Sequence, residues 1–117
     1  MSLEATLTAL LKLSCPRVFP GFAPTNTPRP YVTYQQIGGE TIRYLGNEVP
    51  SKENALMQVN VWSDTYKESK RLIQEIEASL IVATQFQASA QAAPVSDSDA
   101  DLPAYMHRQD FDIWADR

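Results

Sequence analysis

The 117-residue chain has one cysteine, one histidine and four glycines, and each shortage closes off a class of chemistry. Cys15 alone cannot form a disulfide within the chain, which fits a reducing compartment. One thiol and one imidazole cannot build a transition-metal site within a subunit without carboxylates, and no carboxylate stands in helical i, i+4 spacing with either. Paired as nucleophile and base, Cys15 and His107 would need a third group to orient the imidazole. Cys15 also falls at a helix C-terminus, where the dipole disfavours the thiolate a nucleophile needs. The glycines are Gly21, Gly38, Gly39 and Gly46, a spacing that matches no phosphate-binding loop.

An excess of positive charge is also missing. The formal net charge is −4, and Lys67, Lys70 and Arg71, the nearest thing to a basic cluster, are interleaved with Glu68, Glu75 and Glu77. That is a solvated helix face, so sequence-specific nucleic-acid binding through a basic patch is not expected. No apolar run approaches the roughly 20 residues that span a bilayer. No basic segment precedes an apolar one near Met1, so an ordinary secretory signal is not expected. The expectation is a chain that is soluble and intracellular when made, with no membrane partner. Asp97-Ser98-Asp99-Ala100-Asp101 opens like a calcium loop. Leu102 then takes the place of the required glycine, and Arg108 that of the bidentate glutamate.

What is present is ordinary globular composition, with 44% apolar and 21% charged residues, enough for one core and one domain over residues 1–117. Ser2 caps a first helix whose stripe is Leu3, Leu7, Leu10 and Leu11, with Glu4 at its positive end. Pro16 ends it. Residues 16–30 hold Pro16, Pro20, Pro24, Pro28 and Pro30 together with Val18, Phe19 and Phe22, too apolar for a disordered linker. This proline-rich arm is expected to lie extended over the domain or a neighbouring subunit, turning at Pro20-Gly21.

Tyr31 to Ile37 and Glu40 to Leu45 flank Gly38-Gly39 and predict a hairpin. Gly46 to Asn54 reads as a polar loop. Met57, Val59 and Val61 alternate with Gln58, Asn60 and Trp62, which predicts a half-buried strand. Ser63 and Asp64 offer capping oxygens to a helix whose buried stripe is Ser69, Leu72, Ile73, Ile76 and Leu80, fading near Ala83. In Thr84 to Ala93, Phe86, Ala88, Ala90 and Ala92 share one face, consistent with a strand or a helical continuation. Residues 94–101 read as an acidic loop, and Tyr105 to Ala115 as the closing strand. The order predicts an α+β domain: a mainly antiparallel or mixed sheet of about four to five strands, with two helices packed on one face.

Trp62 and Trp114 fall on the strand face opposite the aliphatic residues. A helix packed there would bury them; left open, that face would mark a subunit or partner interface.

Several stretches together carry a resemblance. Met1 to Leu11, Arg17-Val18-Phe19-Pro20, Pro28-Arg29-Pro30-Tyr31-Val32-Thr33-Tyr34, Val59 to Tyr66 and Phe111-Asp112-Ile113-Trp114 resemble, in order and spacing, the small tail-completion or tail-terminator (tail-to-head joining) proteins of long-tailed bacteriophages and prophages. The match is weakest over Thr84 to Asp101. The resemblance implies a structural virion assembly protein with no enzymatic activity and no cofactor. It implies a homo-oligomeric ring, usually a hexamer, at the end of the tail tube. Such a ring stops polymerisation and helps join tail to head. The implied partners are other copies of the chain, the major tail tube protein and a head-completion or neck protein. The implied locations are the bacterial host cytoplasm during assembly and the tail–head junction of the virion.

A ring needs heterologous contacts, and Phe19, Phe22, Trp62 and Trp114 are the expected subunit-interface residues. Glu48, Lys52 and Glu53 are the charges expected to reach the tail or neck. The negative balance permits an acidic lumen through which DNA could pass. The alternative is a small monomeric or dimeric α+β module that binds a ligand or peptide on its sheet.

Overall fold

The computed structural model describes residues 2–43, 46–101 and 103–117. Helix α1 (Leu3–Leu11) and helix α2 (Tyr66–Ile81) pack on one face of a six-stranded sheet. The strands are β1 (Val18–Pro20), β2 (Tyr31–Gly38), β3 (Lys52–Ser63), β4 (Gln87–Ala90), β5 (Val95–Asp99) and β6 (Ala104–Asp116). The order across the sheet is β1-β2-β3-β6-β4, with β5 also pairing β6. Among the described residues only β1 and β2 are parallel neighbours; every other pair is antiparallel. The architecture is thus α+β with a mixed, mainly antiparallel sheet.

The centre of the sheet is the long β3–β6 ladder, which runs from Lys52 opposite Asp116 to Ser63 opposite Tyr105. Alternation along both strands sorts their side chains onto two faces. Ala55, Met57, Val59, Val61, Phe111 and Ile113 meet the helices and are buried. α1 contributes Leu3, Leu7, Leu10 and Leu11, and α2 contributes Leu72, Ile73, Ile76 and Leu80. Each large side chain fully buried here is worth about 1.5–3 kcal/mol of transfer free energy.

Three local expectations are corrected. Glu40 to Arg43 form no strand, and Tyr44 and Leu45 lie outside the described residues, so β2 has no hairpin partner there. β2 instead pairs the distant β3, Val32 opposite Val61 and Tyr34 opposite Val59. That register buries four core side chains, whereas a local hairpin would have paired the exposed half of β2. The loop before β3 ends at Ser51, because Lys52, Glu53 and Asn54 are already paired with β6. Residues 95–99 are strand, not loop: once β6 is central, its outer edge offers a hydrogen-bonding template to any extended segment. β4 and β5 share that edge, separated by a kink where the Gln91 N–H donates to Asp110 O (2.9 Å) and Gln109 Nε2 donates to Ala92 O (2.9 Å).

The helix caps divide similarly. Ser2 accepts from the Ala5 N–H as expected. The α2 cap is Thr65, which accepts from the Glu68 N–H (3.1 Å), not Ser63 or Asp64. Ser63 is buried and bonds the Glu68 carboxylate, while Asp64 pairs with Arg29 at 2.7 Å.

Candidate interaction surface

Among the described residues no helix covers the face of β3 and β6 that carries Trp62 and Trp114, and both tryptophans are half-buried. Gln58, Asn60, Arg108, Asp110 and Asp112 lie between them on the same face. Trp62 stacks on Tyr31, with ring centroids 6.3 Å apart and planes at 26°. The phenol of Tyr31 is harder to ionise than usual because it is partly buried, an effect that Arg29 partly opposes.

The proline-rich arm borders this face. The Arg17 Nε–H reaches the Pro28 and Pro30 carbonyls (3.0 Å each), the Gly21 N–H donates to Tyr34 O (2.8 Å), and Arg29 pairs with Asp64. The arm is therefore closed on its own domain. Phe19 is half-buried in β1 opposite Thr33. Phe22 projects from the arm at 81% exposure. Phe22, Trp62, Tyr31, Met106 and Arg108 line one concavity of about 480 Å³.

Trp114 is elsewhere. Asn54, its partner on β3, precedes Trp62 by eight residues, about 26 Å at roughly 3.3 Å each. Trp114 lines a separate groove of about 540 Å³ with Phe86, Lys52 and Asp116. The four aromatic candidates thus divide between two ends of one face. The three charged candidates divide too. Glu48 is exposed in the loop. Lys52 is in β3, ion-paired with Asp116 at 2.5 Å. Glu53 is half-buried and, by strand alternation, points to the opposite face. Arg108 and Met106 were not picked out from the sequence, although alternation back from Trp114 places them on its face. The Tyr31–Trp62 stack needed the β2–β3 register.

The thiol and the imidazole bond separate partners. The Cys15 S–H lies within reach of the Arg17 and Pro30 carbonyls (3.7 and 3.5 Å), where it helps hold the base of the arm. His107 is buried, with Nδ1 2.6 Å from Ser69 Oγ and its ring edge-on to Tyr66. Ser69 Oγ also lies 3.1 Å from Tyr66 O, so the hydroxyl bridges the imidazole and the first turn of α2. Burial and then Lys70 lower the His107 pKa from its ordinary value. Ser69 is fully buried, and the pair ties α2 to β6 in the interior. Among the described residues no group of three or more His, Cys, Asp or Glu side chains could hold a metal.

The family model for "Tail completion protein gp17" matches residues 2–116. The chain belongs to this family of phage tail-completion proteins. The family is one of structural tail proteins, not of enzymes. In fold, the chain is similar to a protein of the "virion of native gene transfer agent (GTA) particle". The two are 13% identical with a TM-score of 0.56, and the match covers 98% of this chain and 87% of that one. No curated protein matches this sequence. The broad role of this tail-completion chain is structural, in phage tail assembly.

Proposed function

We propose that the chain is one subunit of a closed ring, of six copies in the usual family arrangement. The ring seats on the end of the tail tube, halts its polymerisation and offers the surface to which the head is joined. The observation that carries this reading is the uncovered sheet face with a tryptophan at each end, in a chain of the tail-completion family. A heterologous ring needs two different patches on each subunit. The Phe22–Trp62 concavity and the Trp114 groove are two such patches, and Phe19 supports the first from β1. The loop bearing Glu48, with Lys52 at its base, faces the tube or the neck. Glu53, on the other sheet face, contributes separately.

The partners in this reading are further copies of the chain, the major tail tube protein and a head-completion or neck protein. Assembly takes place in the host cytoplasm and the product sits at the tail–head junction. DNA crosses the ring through a lumen lined by carboxylates, without sequence-specific contacts.

Absolute mass by light scattering, followed by addition of the protein to growing tail tubes, tests the proposal. A discrete species near six subunits, together with tubes of capped length, is the expected result. Tubes that keep growing in its presence overturn it. One observation favours a second reading: the concavity beside Trp62 is large enough for a peptide side chain. A strict monomer that binds a peptide there and leaves tubes uncapped would be a ligand-binding module.

A further inference from the structure

The two edges of the sheet differ in charge. Residues 5–39 contain Lys12, Arg17 and Arg29 and no carboxylate, and they form the β1 side of the domain. Residues 95–101, β5 and the turn after it, contain Asp97, Asp99 and Asp101 and no lysine or arginine; Glu75 and Glu77 lie on α2, which packs over β3 and β6 as well as β4. β1 and β5 both lie at sheet edges, so the β1 side of a subunit carries basic side chains and β5 itself acidic ones; Asp97 reaches the open face, where it also lines the Phe22–Trp62 concavity. Arg29 is satisfied by Asp64 within the chain, and Glu75 by Arg71. Among the described residues, Lys12, Arg17, Asp97 and Asp101 are in no ion pair. Exposed apolar side chains accompany the charges: Leu13 and Phe22 beside β1, Val95 and Tyr105 beside β5.

Main-chain pairing across these edges is blunted. Pro20 has no N–H to offer, and its carbonyl already accepts the Phe22 N–H. The Ser98 N–H is taken by the Asp97 side chain. Strand addition is therefore disfavoured at Pro20 and at Ser98, where side-chain charge and apolar contact are the means of recognition. We propose that the basic β1 edge of one subunit docks against the acidic β5 edge of a second copy. Lys12 and Arg17 face Asp97 and Asp101 there, with Phe22 packing beside Val95. Such a contact is heterologous and repeats in one direction, so it closes into a ring or runs on as a filament according to its angle. It fixes the order of subunits by attraction, while like edges repel. This rests on the reading of the chain as a ring subunit; it makes the two edges the contact between neighbours, with Phe22 serving both edge and concavity, and leaves the Trp114 groove outside that contact.

The test is light scattering on the full chain at about 10 mM and about 1 M salt, where the screening length shrinks from roughly 30 to 3 Å. Wild type, Lys12→Glu, Asp101→Lys and an equimolar mixture of the two variants are compared. Both positions are exposed, and unchanged melting curves confirm folding; Lys12→Gln serves if Lys12→Glu does not fold. At low salt each reversal is expected to lower the association constant about three- to tenfold. The mixture is expected to recover it, because every contact is then either native or charge-swapped. High salt should erase these differences.

If wild type forms a ring that neither reversal weakens, or the mixture fails to recover, the edge pairing is wrong and the ring stands. If wild type stays monomeric at low salt, the edge pairing is overturned, and tail capping alone then decides the ring.

Discussion

A methyl group added at Gly39 is expected to destabilise the domain by about 2–4 kcal/mol, a sum of two costs. The first is conformational. Gly39 has φ +155°, a region nearly confined to glycine, and holding another residue there costs about 1–3 kcal/mol. The second is steric. A Cβ would sit 2.5 Å from Asn54 O and 3.2 Å from Asn54 C. These are backbone atoms of β3, fixed by the pairing of Asn54 with Trp114, so relief requires a shift of the strand, for about 1 kcal/mol more. Total stability for such domains is about 5–15 kcal/mol, so the loss is a large fraction of it. Urea unfolding followed by tryptophan fluorescence measures the change, with an unchanged m-value expected. Gly21→Ala is the matched control: its φ is +78°, but nothing lies within 4 Å of its Cβ. It carries the conformational cost without the clash. If Gly39→Ala costs no more than Gly21→Ala, the steric argument fails.

Three further expectations follow from the same geometry. Because the His107 pKa is lowered on folding, the unfolded chain takes up the proton first as the pH falls. The associated stability is complete above about pH 6.5 and is lost as the pH falls from there to the folded value; His107→Gln should flatten the slope of unfolding midpoints in that window. Thr65→Ala removes the acceptor for the Glu68 N–H and should cost about 1 kcal/mol in chemical denaturation. Phe22→Ala, at a side chain 81% exposed, should change monomer stability by no more than about 0.5 kcal/mol while weakening self-association by light scattering. A large stability loss with unchanged association would show that Phe22 serves its own domain.

Elements whose pattern is local were legible in the residues. The α2 stripe of Ser69, Leu72, Ile73, Ile76 and Leu80 is the buried face of the helix, because a 3.6-residue period leaves one solution for where apolar side chains go. The alternation from Met57 to Trp62 likewise sorted core from open face before any partner was known. Of the Phe86, Ala88, Ala90 and Ala92 face, Phe86 and Ala88 are buried.

Pairing was not legible. Gly38-Gly39 is a strong hairpin signal, yet β2 pairs β3, since a register that buries Val32 and Tyr34 against Val61 and Val59 outweighs a turn preference worth far less. The acidic stretch at Val95–Asp99 has little strand propensity, and only the free edge of β6 makes it a strand. For the candidate surface, the sequence alone determined that Trp62 and Trp114 share a face opposite the core, because that follows from period two. Their separation to opposite ends, the arm's closure beside Trp62 and the place of the acidic β5 strand on the edge of β6 were decided by tertiary structure. Those depend on which strands become neighbours, and neighbours are chosen by the burial of the whole core.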